Sequence, residues 1–307
     1  MKNLLLAASR NTHVRDLATR LPVVRRTVDR FVPGDGVEDV VRAIREISAT
    51  GRLATIDHLG EDTTSQAEAL AATKANIALI RRLSDEGLTD VAEISVKASA
   101  IGQALPGGVD LAAENAGRIV AAATEAGTTV TFDAEDHTTL DGMHALVDGL
   151  RAEFPGTGLV LQAMLFRTED DARHYSGAGS RVRLCKGAYA EPATVAHTTP
   201  AAIGEAFQRC LGILIAGEGY PMIATHDPKM ITAALGQLLV AGRAPGSYEF
   251  QMLYGVRPEE QLRLAREGHR VRVYVPYGVD WYGYYMRRLA EKPANLALLG
   301  RALISRR

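Results

Sequence analysis

Two adjacent arginines, Arg287 and Arg288, offer the most specific chemistry in this sequence. They sit on a predicted helix with Tyr284 one turn before and Glu291 one turn after. The spacing i, i+3, i+4, i+7 puts all four on one helical face. A guanidinium grips a carboxylate through two parallel hydrogen bonds, so such a face is a good receptor for a small carboxylate. A bare Arg-Arg pair is more commonly a solvated charge on a surface helix. What favours a site is the polar company that the rest of the chain brings.

The preceding stretch, 270–275, alternates Val271, Val273 and Val275 with Arg272 and Tyr274, as a strand does. Pro276 and Gly278 are expected to break it, and Asp280 to cap the helix. Similar apolar segments recur around 53–60, 91–99, 128–136, 158–164, 180–187, 221–227 and 247–253, each followed by a helical pattern. Eight strand–helix units in this span predict a (β/α)₈ barrel of the TIM type, over 51–307, preceded by an N-terminal helical arm over 1–50. A doubly wound sheet would show a Gly-rich phosphate loop after its first strand, and there is none.

Alternation also sorts the barrel's faces. Strand faces bearing Val182 and Leu184, or Phe250 and Met252, suit packing under helices. The opposite faces then point Lys97, Asp133, Gln162, Arg183, Gln251 and Tyr274 into the lumen. All six are expected toward the C-terminal strand ends, the catalytic face of this fold. Buried without partners they would be costly, so they should bind one another or a ligand. Lys186, Gly187 and Ala188 add a cation and close backbone approach suited to a phosphate.

Composition narrows the classes. The 307 residues are 47% hydrophobic and 23% charged, which suits a soluble globular chain with one large domain or two small ones. A net charge of −1 gives no reason to expect a nucleic-acid partner. Cys185 and Cys210 form no CxxC framework, which fits a reducing cytoplasm, and peripheral contact with the cell membrane stays open. The histidines lack metal-binding spacing, no GxSxG elbow occurs, and no metal site is expected. Three readings of the residues stand: an enzyme binding an anionic cofactor beneath a carboxylate substrate, a Schiff-base lyase using Lys97 or Lys186, and a non-catalytic anion binder.

RLCKGAY at 183–189 resembles the RLVKGAY segment of the proline dehydrogenase family, and YGYYMRRLAE at 282–291 resembles its YxxRRxxE helix. VKASA (96–100) is similar to its IKLSA, FDAED (132–136) to DAEE, VLQAM (160–164) to QAY, ATHD (224–227) to ATHN, and YEFQML (248–253) to FEFQ-L. The resemblance implies a distorted (β/α)₈ barrel holding FAD noncovalently. It implies oxidation of L-proline to Δ1-pyrroline-5-carboxylate, with hydride passing from substrate C5 to flavin N5 and electrons going on to a membrane quinone. It also implies a short monofunctional bacterial enzyme without an aldehyde dehydrogenase domain. Carried over, Arg287, Arg288 and Lys97 hold the substrate carboxylate, and Tyr189, Leu253, Tyr274 and Tyr284 wall its pocket. Asp133 and Arg183 are catalytic, Arg183 lying near flavin N5 and Asp133 near Lys97 and the substrate amine. Ala134, Gln162, Lys186, Gly187, Ala188, Thr225, His226 and Gln251 border the cofactor, as does Glu291, which also ties down the arginine pair. Cys185, Ala190 and Asp227 depart from the family's usual residues.

Overall fold

Residues 28–291 are described by the computed structural model. Helix α1 (Val37–Ser48) precedes the barrel, and its Val40, Ile44 and Ile47 join the barrel's own hydrophobic core. Eight strands of four to seven residues follow: β1 (Leu53–His58), β2 (Ala92–Lys97), β3 (Val130–Asp133), β4 (Gly158–Gln162), β5 (Arg181–Cys185), β6 (Tyr220–Ala224), β7 (Glu249–Leu253) and β8 (Val271–Tyr277). All pairs are parallel, in sequence order, and β8 pairs back onto β1 to close the barrel.

The helices between them are α2 (Gln66–Asp85), α3 (Gly108–Glu125), α4 (Leu140–Arg151), α5 (Thr168–His174), α6 (Pro200–Ala216), α7 (Pro228–Val240) and α8 (Pro258–Arg266), with α9 (Trp281–Glu291) after β8. Their starts are written in the sequence. Ser65 accepts from Glu68 N at the head of α2, Thr199 caps α6, Asp227 caps α7, and proline opens α6, α7 and α8. The expected arm boundary at residue 50 falls between α1 and β1, and residues 1–27 lie outside the described part.

Pro276 does not break β8. The strand runs on to Tyr277, with Pro276 level with Asp57 of β1, and Leu59 N donates to Tyr277 O at 2.8 Å. Proline lacks an amide donor, so the neighbouring residues carry the ladder past it. Helix α9 is oriented by a second cluster, in which Trp281, Tyr282 and Tyr285 are buried against Val28, Phe31 and Val32. That packing turns Tyr284 and Arg287 toward the barrel mouth.

Candidate active site

The polar faces of the strands meet inside the barrel in layers. The lowest is an ion cluster. Arg272 donates to Glu249 at 2.7 and 3.1 Å, Arg181 donates to Glu93 at 2.5 Å, and Gln251 Nε2 donates to Glu249 at 2.6 Å. Burial works against the Glu93 carboxylate, but Arg272, Arg181 and Arg183 outweigh it and hold its pKa down at about 2. Above this lies Arg183, 4% exposed. Its Nε donates to Gln251 at 2.5 Å, and its Nη1 to Ser95 at 2.8 Å and Asp133 Oδ1 at 2.5 Å. Its guanidinium stands 5.4 Å from the Tyr274 ring.

Asp133 is the junction to the layer above. Besides Arg183 it accepts from Ser95 at 2.9 Å and from the Tyr274 hydroxyl at 2.7 Å. Lys97 and Asp133 are level in the β2–β3 register, yet Lys97 Nζ lies 4.0 Å from Asp133 and 2.7 Å from Asp57 of β1. Asp133 thus stands near Lys97 as expected, at the outer limit of an ion pair, and the closer partner, which the sequence reading did not name, is Asp57. Asp133 turns away because three donors on β2, β5 and β8 already surround it. Burial disfavours the Lys97 ammonium, but the two carboxylates more than offset that and raise its pKa.

The six lumen residues do not all come from strand ends. Lys97, Asp133 and Gln162 are the last residues of β2, β3 and β4, whereas Arg183, Gln251 and Tyr274 come from mid-strand. Side-chain length decides what reaches the mouth: the guanidinium of Arg183 spans the layer to Asp133. Gln162 stands apart from this network. Its Nε2 donates to Ala134 O at 3.4 Å, while Oε1 is buried with no partner among the described residues.

A cavity of about 670 Å³ opens between the chain after β1, the end of β2, and α9. Glu61, Asp62, Lys97, Tyr284 and Arg287 are among its lining residues, and its size is that of a small-molecule site. Arg287 Nη1 donates to Glu61 at 2.8 Å. Burial disfavours the Arg287 charge, but Glu61 outweighs it and the pKa is raised. Arg288 instead lies 5.1 Å over the Tyr284 ring. The side chain of Glu291 lies outside the described part, and the partner holding Arg287 is Glu61.

Around the other side of the mouth, Lys186 donates to Asp227 at 2.6 Å, with both side chains about one-third exposed (32% and 34%). Gly187 has φ +98°, and a Cβ there would sit 2.1 Å from Met164 Sδ, so only glycine fits. Ala188 and Tyr189 follow it in the same loop, and burial raises the Tyr189 phenol well above its ordinary value. Thr225 is buried, and its hydroxyl accepts from Asp227 N at 3.2 Å. His226 Nε2 accepts from Leu253 N at 2.8 Å, and its carbonyl accepts from Arg257 Nη1 at 2.7 Å. Burial pushes the Cys185 thiol up to about 11, away from the thiolate form.

Asp57 and Glu61 make contacts of this site without having been singled out from the sequence. Asp57 had a signal: Thr55 and Asp57 alternate with Ala54 and Ile56 as strictly as in the other strands. Glu61 lies in a loop, where no periodicity marks it.

A closed (β/α)₈ barrel with its buried charges gathered under the C-terminal mouth is the architecture of an enzyme. A family model described as proline dehydrogenase matches residues 40–301. The chain is 37% identical to proline dehydrogenase 1 of Bacillus subtilis over 278 residues, covering 90% of each chain. It is also 37% identical to the proline dehydrogenase of Deinococcus radiodurans over 281 residues, covering 90% of this chain and 89% of that one. It belongs to the proline dehydrogenase family and is an oxidoreductase. The fold is shared with proline utilization A from Bdellovibrio bacteriovorus inactivated by N-propargylglycine, at a TM-score of 0.80 and 21% identity. The match covers 87% of this chain and 32% of that longer one. A Bradyrhizobium japonicum proline utilization A variant gives a TM-score of 0.71 at 23% identity, over 94% of this chain and 35% of that one. Among the described residues no helix is long and apolar enough to cross a membrane, and no cluster could hold a metal ion.

Proposed function

We propose that the chain oxidises L-proline to Δ1-pyrroline-5-carboxylate with FAD, and that a membrane quinone takes the electrons at a peripheral contact. The observation that carries this is one cavity in which Lys97, Tyr284 and Arg287 stand together beside the buried Arg183–Asp133 pair, in a member of this family. Residues that would border the cofactor fit such a group. The unpartnered Gln162 Oε1 offers a buried acceptor, Gly187 allows close approach, and Lys186 supplies a cation.

Arg287, with Arg288 and Lys97, holds the substrate carboxylate and so fixes which ring carbon faces the barrel. Tyr274 and Tyr284, with Leu253 and Tyr189, wall the ring and keep water from it. The substrate amine gives its ammonium proton to solvent on binding, so that its lone pair forms the C=N bond as hydride leaves C5. FAD, when bound, supplies the two-electron acceptor for that hydride. Arg183, fixed by Asp133, Ser95 and Gln251, presents a preorganised positive charge where negative charge accumulates. Ala134, Thr225, His226 and Ala188 complete the border on the cofactor side.

Imine chemistry at a lysine needs a neutral amine. The raised pKa of Lys97 and the ion pair of Lys186 with Asp227 both count against the lyase reading. The test is substitution at the clamp. Arg287→Met or Arg288→Met raises KM for proline by roughly 30-fold or more, since losing a desolvated charged contact costs about 2–5 kcal/mol. FAD content stays at the wild-type level. An unchanged KM in both variants would put the carboxylate site elsewhere.

A further inference from the structure

Glu135 lies two residues beyond β3, is 7% exposed, and has no part in the chemistry above. Its carboxylate serves Ser99, the first residue of the short 3₁₀ turn after β2 (Ser99–Ile101). Ser99 N donates to Oε1 at 3.1 Å and Ser99 Oγ donates to Oε2 at 2.5 Å. The remaining polar capacity of Ser99 faces the chain after β1. Its Oγ accepts from Asp62 N at 3.1 Å, and its carbonyl accepts from Thr63 Oγ1 at 2.8 Å and Thr63 N at 3.4 Å.

That turn is strained. Asp62 has φ +54°, a left-handed conformation that a non-glycine residue holds only when its surroundings impose it. Immediately before it, Glu61 receives Arg287 Nη1 at 2.8 Å. Glu61, Asp62, Thr63 and Arg287 line the same cavity.

We propose that Glu135 and Ser99 are positioning residues for the substrate carboxylate: they hold the 61–63 turn in the strained shape that sets Glu61 against Arg287. Glu61 then occupies one N–H of the guanidinium and fixes its plane, leaving the other donors aimed at the ligand. An arginine without that hold spreads over many rotamers and must be ordered by each ligand it meets. The inference rests on the reading that Arg287 grips the carboxylate.

A double-mutant cycle on the FAD-loaded protein tests it, with cyclopentanecarboxylate as a proline-shaped anion that has no amine to oxidise. Its Kd is measured by calorimetry and by competition with proline. Ser99→Ala weakens binding about 5-fold in the wild-type background but by less than about 1.5-fold beside Glu61→Gln, because the two substitutions break one chain of contacts. The proline KM rises in parallel, with kcat changed much less. Equal effects in both backgrounds, no effect, or tighter binding overturns the inference. Should Ser99→Ala fail to fold, Thr63→Val breaks the same chain from the loop side without touching Glu135, and the same comparison decides. Arg287→Met weakens the anion roughly 30-fold. Failure of that control overturns the clamp itself, which separates it from a failure confined to Ser99.

Discussion

Replacing Asp57 with alanine strips Lys97 of its direct partner. Lys97 and Asp57 are 8% and 2% exposed at the side chain and 2.7 Å apart, with Asp133 4.0 Å from the same ammonium. At an effective dielectric near 20 these distances give gross attractions of about 6 and about 4 kcal/mol. Asp57→Ala therefore removes the larger share while the desolvation cost of Lys97 remains. Breaking a buried pair in this way costs about 3–5 kcal/mol net, or roughly 5–8 °C in the thermal midpoint of a chain this size. Asp133 cannot move in to compensate, because Arg183, Ser95 and Tyr274 hold it. Urea unfolding, followed by circular dichroism at constant pH, measures the loss. Asp57→Ala/Lys97→Met is the decisive companion, since removing both charges leaves no unpaired ion and recovers half or more of the stability. A single-variant loss below about 1 kcal/mol, or a double variant no better than the single, would refute this account of the pair.

Burial pushes the Glu135 carboxyl up to about 7 despite its hydrogen bonds from Ser99, with Lys97 pulling it down and Glu61 pushing it up. The folded state thus keeps a proton that the unfolded chain has already lost, and stability falls as pH rises from about 4.5 through about 7. Glu135→Gln removes this dependence: its unfolding free energy minus that of the wild type grows by about 2–3 kcal/mol between pH 5 and pH 8, and parallel curves would refute it. Asp227→Asn frees Lys186 from its ion pair while leaving an equally good helix cap. FAD affinity of the apoprotein should tighten about 2- to 5-fold by fluorescence titration, and an unchanged Kd would mean that Lys186 does not face the cofactor.

Periodicity made the barrel legible. Apolar and polar residues alternate in β1, β2, β3, β5 and β8, and several helix starts carry Ser, Thr, Asp or Pro where the chain turns. The same alternation located Lys97, Asp133, Arg183 and Tyr274. It could not choose between Asp57 and Asp133 as the partner of Lys97, because that depends on how β1, β2 and β3 stagger and on who else claims Asp133. Pro276 misled because a proline ends a strand only where its missing donor is needed. Glu61 was illegible for a different reason. It acts from a loop held in shape by Ser99 and Glu135, contacts that join residues up to 37 positions apart, and no local pattern encodes them.

Anaerobic mixing of the purified FAD-loaded protein with L-proline tests the central claim most directly. The visible flavin band should bleach, with no NAD added, and should return when a quinone analogue is supplied. A band that stays unchanged at saturating proline, or a protein that takes up no FAD at all, would contradict the account.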